Sequence, residues 1–262
     1  MATDRFPKTR SPKDTFITVY GRKPVLEALD DVTLQVDKVI LAEGLRGEPV
    51  RAILAAARER GVPVARASAH RVKVLAGNGR HDQGVLADVV APRMAPVAEF
   101  LATLTGPASV LVLDRVTNPA NVGMLLRSAT AAGLDGVLLP RHGVPAIDPL
   151  VVKASAGVAF RAPVLRSATA EEGCAALRTA GFGIVGLDAG GPSLLDAALP
   201  DRVALVLGNE TDGLSEPVRA ELDRVLTIPM HGGVESLNVA SAGAVAAFEL
   251  LRRRRPHVRD QC

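Results

Sequence analysis

Apolar and polar positions change their rhythm along the chain near residue 92, and the change divides it in two. From Phe16 the pattern predicts a strand in ITVY, a helix in GRKPVLEALDD, a strand in VDKVILAE and a helix in PVRAILAAARERG that stops at Gly61. Two further strands follow in VPVARAS and GVLADVV. The next stretch, APRMAPVAEF, has two prolines and little periodicity, and residues 93–106 read as a linker. Strand and helix then alternate through SVLVLDR, a helical NVGMLLRSATAAG, DGVLLP, a helical ATAEEGCAALRTAG, GIVGLDA, DRVALVLGN, a short helix from Glu216, VLTIPM and a long apolar helix SLNVASAGAVAAFELLRRRR. Strands as continuously apolar as VLVL, VALVL and GVLL fit a parallel sheet covered on both faces. The expected fold class is therefore α/β, with a small N-terminal α/β domain at residues 16–92 and a larger, mostly parallel-sheet α/β domain at 107–251. Basic tails flank them at 1–15, read as mobile, and at 252–262.

Composition narrows the function classes. The chain has 262 residues, 48% of them hydrophobic and 23% charged, which is ample material for a core. No apolar run reaches the roughly 18–20 residues that span a bilayer, and the opening MATDRFPKTRSPKD lacks a hydrophobic stretch, so neither membrane insertion nor secretion is expected. Cys174 lies in a helical pattern and Cys262 is the last residue, which gives neither a disulfide framework nor metal-ligand spacing. No metal and a cytoplasmic location are expected. The formal net charge of +3 is unevenly placed. Residues 1–15 carry four Arg/Lys against two Asp, residues 16–93 carry twelve basic against nine acidic, 94–251 ten against sixteen, and 252–262 five Arg against one Asp. Polyanion contact is thus assigned to the front and the ends of the chain. The run Arg252 to Arg255 also reads as a helix C-terminus, where cations suit the dipole.

GFGIVG at 181–186 fits a dinucleotide-binding glycine pattern, but a helix precedes it and a strand follows, the reverse of the required order. Gly181 is better read as a helix stop. Three other segments place polar groups where strands end. In DRVTNPANVGMLLRSA, Asn118, Asn121 and Arg127 follow LVLD, with Asn121 a candidate N-cap. In LVLGNETDGLSE, Gly208, Asn209, Glu210 and Gly213 share one loop. In IPMHGGVESLNVASAG, Ser236 and Asn238 open the apolar helix, with Ser236 a candidate N-cap. Ligands of open α/β sheets bind at the carboxyl ends of strands, so three such loops suggest one pocket.

In order, NPANVGMLLRSA, LVLGNETDGLSE and IPMHGGVESLNVASA resemble the three signature motifs of the SpoU/TrmH-type RNA ribose 2′-O-methyltransferases, over residues 109–251. The first domain resembles the ribosomal-protein-like RNA-binding domain of the subgroup acting on large-subunit ribosomal RNA, through GRKPVLEAL at 21–29 and GRHDQGVLADV at 79–89. There Asp82 is an extra residue inside the usual His-Gln-Gly. The resemblance implies a C-terminal trefoil knot, a homodimer and S-adenosylmethionine as cofactor. It implies catalytic roles for Asn121, Arg127, Glu210, Ser236 and Asn238. It places the cofactor on Leu207, Gly208, Asn209, Gly213, Ile228, Met230, Ser236 and Leu237, and RNA on Arg22, Lys23, Arg71, Arg80 and Arg127. Asn209 stands where the family more usually has alanine or serine.

The implied reaction activates a ribose hydroxyl, the group that marks a substrate as RNA and not DNA. The family's mechanism gives Arg127 the role of base. A guanidinium with a pKa above about 12 is a poor base. Arg127 is therefore read as forking to the nucleotide's phosphate and hydroxyl, with the proton leaving through phosphate or Glu210, and Ser236 and Asn238 orienting these groups. Aromatics are scarce, at 3% with no Trp, so Tyr20 and Phe16 are the stacking candidates in the first domain, with the guanidinium planes of Arg22, Arg71 and Arg80 as substitutes. The leading expectation is methylation of a guanosine in 23S ribosomal RNA. The rivals are the same reaction on transfer RNA and a catalytically silent RNA-binding or ribosome-assembly factor, which would have no need of all five catalytic residues.

Overall fold

A computed structural model gives the structure of the chain over residues 11–77 and 81–254. Expectations placed on residues 1–10, Arg80 and 255–262 lie outside the described residues. The chain divides into two units, one made of the chain up to Pro92 together with Ile147–Val152, the other of Arg93–Ala146 and the chain from Lys153 onward.

The first unit holds β1 (Phe16–Tyr20), α1 (Arg22–Asp30), β2 (Val36–Ala42), α2 (Glu48–Glu59), β3 (Val64–Ala67), α3 (Ala69–Ala76) and β4 (Val85–Val90). Its sheet has the order β1-β4-β2-β3, with β4 antiparallel to β1 and β2 and β3 parallel to β2. Helix α2 forms because Val50, Ile53 and Ala57 recur at helical spacing and are buried, while Pro49 suits its first turn. Just past its end, Arg60 donates to the carbonyls of Ala28, Leu29 and Asp31 at 2.8–3.2 Å, satisfying acceptors that α1 leaves open at its C-terminus. Helix α3 is not legible as a period. It is made by its caps, Ser68 Oγ accepting from the Arg71 amide at 3.2 Å and Gly77 ending it at φ +66°. Part of the segment read as a mobile tail is folded: Ser11 caps a 3-10 turn at Pro12–Asp14, and the Ala91 amide donates to the Thr15 carbonyl at 2.9 Å. The extra Asp82 is absorbed by a turn, its Oδ1 accepting from the Gly84 amide at 2.7 Å, and Gln83 Oε1 still reaches the first amide of α1 at Arg22.

The second unit continues with β5 (Ala95–Pro96), α4 (Val97–Thr103), β6 (Ala108–Leu113), α5 (Pro119–Ala131), β7 (Gly136–Pro140), α6 (Pro149–Ala154, whose first residues belong to the first unit's share of the chain), β8 (Val164–Ser167), α7 (Ala170–Thr179), β9 (Gly183–Leu187), β10 (Arg202–Leu207), α8 (Glu216–Ala220), β11 (Arg224–Leu226) and α9 (Val239–Arg254). Seven strands make one sheet of order β11-β9-β10-β6-β7-β8-β5 with every pairing parallel. The fold is mixed α/β, as expected. The linker reading of 93–106 is corrected, because β5 pairs with β8, and Val97, Phe100 and Leu101 of α4, with Leu104 just past its end, pack on the core. Those four positions follow a helical period, which the prolines at 92 and 96 obscure. Strand β11 stops at Leu226, short of the Met230 end that the sequence pattern suggests, and the chain leaves the sheet ahead of Pro229, which cannot donate to a ladder.

Strand β6 is buried along its whole length. Ala108, Val110 and Val112 face a core with Leu138, Ala170, Cys174, Leu177, Ile184 and Val206, under α4, α7 and α8. Burial pushes the Cys174 thiol up to about 12, so this cysteine is packing material. On the other face α9 lies on α5 so closely that a Cβ on Gly243 would sit 2.1 Å from Leu125 Cδ2 and 2.8 Å from Leu207 Cδ1. Among the described residues no helix is long and apolar enough to cross a membrane.

The arginine run at the end of α9 is structural as far as it is described. Arg252 and Arg253 both pair with Glu249, Arg253 Nη2 donates to the Leu194 carbonyl at 2.6 Å, and Arg254 pairs with Asp135. Glu249 is buried, and its hydrogen bonds from Arg252 and then Arg253 hold its carboxyl below the ordinary 4.5 against the opposing pull of burial. Because the folded pKa lies below the unfolded one, the stabilisation is complete above about pH 4.5 and is lost as pH falls through the folded value. Glu249→Gln is therefore expected to cost about 1–3 kcal/mol at pH 7, with the gap to the parent closing as the pH falls below 4.5, as read by urea unfolding at several pH values. A constant gap across that range would assign the loss to shape alone.

Candidate functional site

The site is built on the carboxyl end of the parallel sheet, where β6 and β10 lie side by side. Strand β6 leads on to β7 and β8 on one flank, whereas β9, β10 and β11 fill the other, so the strand order reverses here. The Asp114 amide donates to the Leu207 carbonyl at 2.8 Å, and the buried Asp114 carboxylate receives the Ser215 amide at 2.6 Å. Between these two ties the chain runs through Gly208–Leu214 as a tight loop. A Cβ on Gly208 would lie 2.4 Å from the Gly213 carbonyl carbon and 2.5 Å from the Leu214 nitrogen, so only glycine fits. The same approach lets Asn209 and Gly213 exchange backbone hydrogen bonds at 2.9 and 3.0 Å. The Asn209 side chain locks the loop, Oδ1 accepting from the Thr211 and Asp212 amides at 2.9 and 3.1 Å and Nδ2 donating to the Arg115 carbonyl at 2.9 Å. An alanine or serine could not make all three bonds.

Glu210 sits at the tip of this loop and accepts a hydrogen bond from Asn121 Nδ2. Asn121 Oδ1 in turn accepts from Asn238 Nδ2 at 3.2 Å. The direction of this chain is fixed at its far end, because Asn238 Oδ1 is engaged by the Ala240 and Ser241 amides at 2.9 and 3.4 Å. Both cap assignments made from sequence need correction. Asn118, not Asn121, caps α5, its Oδ1 accepting from the Ala120 amide at 2.9 Å, and Asn238, not Ser236, caps α9. Asn121 lies inside the first turn, 4% exposed, with both ends of its amide partnered.

Beside Glu210 opens a cavity of about 350 Å³. Leu207, Gly208, Asn209, Gly213, Ile228, Met230, Ser236 and Leu237 all line it, together with Glu210. Asp188, Arg219 and Glu235, which sequence reasoning missed, also line it. Asp188 was findable, since it directly follows β9 as Gly208 follows β10; Arg219 carried no such signal. Arg127 stands apart. It lies six residues beyond Asn121 on α5, about 9 Å along the axis and on a different face. It is exposed, does not line the cavity, and has no hydrogen bond or ion pair among the described residues. Among the described residues no cluster of three or more His, Cys, Asp or Glu side chains could hold a metal ion.

In the first unit, Lys23 and Arg71 are exposed, while Arg22 is half-buried with its Nε unpartnered. The stacking expectation for Tyr20 is overturned: it is 7% exposed, packed in a core cluster with Ile40, Val72 and Leu86. Phe16 is half-buried, with Lys38 Nζ 5.4 Å from its ring centroid.

Comparison with known proteins gives the same division of the chain. Residues 108–248 match the model of the SpoU rRNA Methylase family, and residues 18–95 match that of the RNA 2′-O ribose methyltransferase substrate binding domain. The chain is 35% identical over 240 residues to a 23S rRNA (guanosine-2′-O-)-methyltransferase of Xylella fastidiosa, covering 90% of this chain and 96% of that protein. It is 33% identical over 250 residues to an uncharacterized tRNA/rRNA methyltransferase of Mycobacterium ulcerans, covering 94% and 80%. Among solved structures, the SpoU methyltransferase AviRb from Streptomyces viridochromogenes in complex with AdoMet superposes with a TM-score of 0.61 at 26% identity, over 95% of this chain and 94% of that one.

The geometry of the loop makes a test independent of any ligand. Gly208→Ala should lower stability by about 1–3 kcal/mol through overpacking against backbone that cannot move aside. Gly106→Ala, where a Cβ meets nothing within 4 Å, should be near neutral in the same thermal melts. Equal melting temperatures for the two variants would show that the close approach at 208 is not a constraint.

Proposed function

The chain belongs to the SpoU rRNA methylase family, and from that premise we propose that it transfers the methyl group of S-adenosylmethionine to the 2′-hydroxyl of a guanosine in 23S ribosomal RNA, in the cytoplasm and as a homodimer. The observation that carries this reading is the hydrogen-bonded chain Asn238–Asn121–Glu210 at the edge of a cavity lined by the loops that follow β9, β10 and β11. A silent RNA-binding factor has no use for a buried asparagine held so that it aims at a carboxylate.

The residues fit the cofactor. The volume lies within the range of small-molecule sites. Gly208, which has no side chain, lines the cavity, and the carboxylates of Glu210 and Glu235, which also line it, suit a cationic group. When bound, S-adenosylmethionine supplies an electrophilic methyl on a positively charged sulfur. Leu207, Gly208, Asn209, Gly213, Ile228, Met230 and Leu237 would hold it. Glu210, oriented by Asn121, is the group positioned to take a proton from the ribose hydroxyl at a carboxylate oxygen. Arg127 would fork to the phosphate and hydroxyl of the target nucleotide. Ser236, exposed on the cavity wall, would orient the same nucleotide. The first unit would bind RNA through Arg22, Lys23 and Arg71.

Two features of the family enter this reading with their own support. For the dimer, Met124 on α5 and Val245 and Phe248 on α9 are apolar and 38–50% exposed, and Met124 is one turn from Arg127. A second copy seated on this face would cover them and bring partner groups to an Arg127 that stands outside its own cavity. For the C-terminal knot, the loop between β9 and β10 is bound to both parts of the final segment. The Thr227 amide donates to the Pro192 carbonyl at 2.9 Å, and Arg253 donates to the carbonyls of Leu194, Leu195 and Ala197.

The reaction is tested by mass spectrometry of nuclease-digested RNA from cells with and without the gene. One 2′-O-methylguanosine should vanish from 23S ribosomal RNA; its loss from transfer RNA would move the substrate there, and no loss would remove the enzymatic reading. Arg127→Ala should lower kcat by about 10²–10³-fold, by analogy with the loss of a charge-stabilising donor. Its melting temperature should shift by less than about 2 °C, as for a surface change. A large drop in melting temperature with kcat retained would make Arg127 structural.

A further inference from the structure

We propose that Asp188, held in place by Arg219, reads the ribose hydroxyls of the cofactor, an inference that rests on the cavity being the S-adenosylmethionine site. Asp188 is the first residue after β9, and its backbone is fixed by donation from its amide to the Leu226 carbonyl of β11 at 3.1 Å. Its carboxylate is fixed as well. Oδ1 accepts from the Ala189 amide at 2.8 Å, and Oδ2 pairs with Arg219 Nη2. Arg219 is anchored from behind by donation from Nε to the Leu214 carbonyl at 3.1 Å. The pair stands against the bend of the cofactor loop, since a Cβ on Gly213 would lie 3.6 Å from Arg219 Nη2 and 3.8 Å from Asp188 Oδ2.

Two of the carboxylate's roughly four acceptor positions are used, and Nη1 of Arg219 has no partner among the described residues, so the pair offers acceptor and donor capacity to the cavity both residues line. Its charge is balanced. The ammonium and sulfonium of the cofactor would be drawn to an unpaired acid, and Glu235 on the same wall has no cationic partner among the described residues. A neutral vicinal diol, which both donates and accepts, matches a balanced pair. A carboxylate beyond the carboxyl end of a parallel strand is also the arrangement by which open α/β sheets bind nucleotide ribose.

Calorimetry with S-adenosylmethionine and its 2′-deoxy and 3′-deoxy analogues on the full chain tests this. The parent protein should bind the natural cofactor about tenfold or more tighter than at least one deoxy analogue, the size expected for a hydrogen bond to a charged group. Asp188→Ala should lose a similar factor for the natural cofactor and bind all three ligands alike. Asp188→Asn, which keeps shape and one acceptor, should narrow the preference part of the way, and Arg219→Gln should keep it in weakened form. If Asp188→Ala weakens the natural and deoxy ligands by the same factor, the pair only shapes the loop and the inference is wrong. It is equally wrong if the parent shows no preference among the three ligands. Failure of the parent to bind S-adenosylmethionine at all would instead remove the cofactor reading on which the inference rests.

Discussion

The site depends first on one contact between two stretches of backbone, Gly208 against Gly213. Loops leaving the carboxyl edge of a parallel sheet ordinarily point outward. Here the absence of a Cβ at 208 lets the chain fold back on itself within five residues, and the Asn209–Gly213 bridge closes it. Everything the loop presents follows from that closure. Glu210 is carried to the tip, Leu207, Gly208 and Asn209 line the cavity, and Gly213 is left beside Asp188 and Arg219. The loop is tied down at both ends by Asp114, the residue that follows β6, through Leu207 and Ser215, so the cavity wall inherits the rigidity of the sheet centre.

The second requirement is that α5 and α9 begin side by side. Their contact at Gly243 excludes any larger residue, and Ala240, Ala246 and Ala247 are buried along the same helix. Small residues thus have a chemical consequence, because helices this close bring Asn121 within 3.2 Å of Asn238. Burying Asn121 would cost about 1–3 kcal/mol if either end of its amide lacked a partner. With Glu210 on one side and Asn238 on the other both are satisfied. Asn238 does two things at once, capping α9 and setting which way the Asn121 amide faces. Apolar packing and helix capping together orient the one carboxylate that the proposed chemistry needs.

Much of this is legible in the sequence, and the failures have physical causes. Continuous apolar strands announce a parallel sheet, and the rule that ligands gather at strand ends finds the loops at 118, 208 and 228 without any fold in hand. Asp188 obeys the same rule, but the overlapping GFGIVG pattern draws attention to its glycines and away from the strand end that follows them. Arg219 is invisible, since nothing along the chain couples a five-residue helix to a strand end thirty-one residues earlier. The caps are ambiguous by position: an asparagine just before a proline and an asparagine three residues later look alike in sequence, and only the first has the extended backbone that a cap requires. Helix α4 is hidden by prolines, which permit a helix to start as readily as they forbid it to continue. Tyr20 stands out as a stacking platform because aromatics are rare in this chain, yet rarity says nothing about which face of β1 a residue occupies.

Charge is the least transparent feature, because a formal count ignores what each cation already holds. Three of the four arginines at 252–255 are described, and all three are engaged, by Glu249, by Asp135 and by main-chain carbonyls of the loop between β9 and β10. Arg60 and Arg202 likewise donate to carbonyls, and Arg178 bridges Glu221 and Asp223. A guanidinium so engaged contributes little to the attraction of a polyanion, since its field is already balanced or its donors are turned inward. Arg71 and Lys73 on α3 and Arg127 on α5 are exposed and have no side-chain partner among the described residues. The positive potential available to RNA is therefore weaker at the described end of α9, and stronger on α3 and the outer face of α5, than the linear distribution of charge suggests. The exposed cations of α3 thus belong to the first unit and Arg127 to the second, so a net count for either unit says less about its attraction for a polyanion than which of its arginines and lysines remain unpaired.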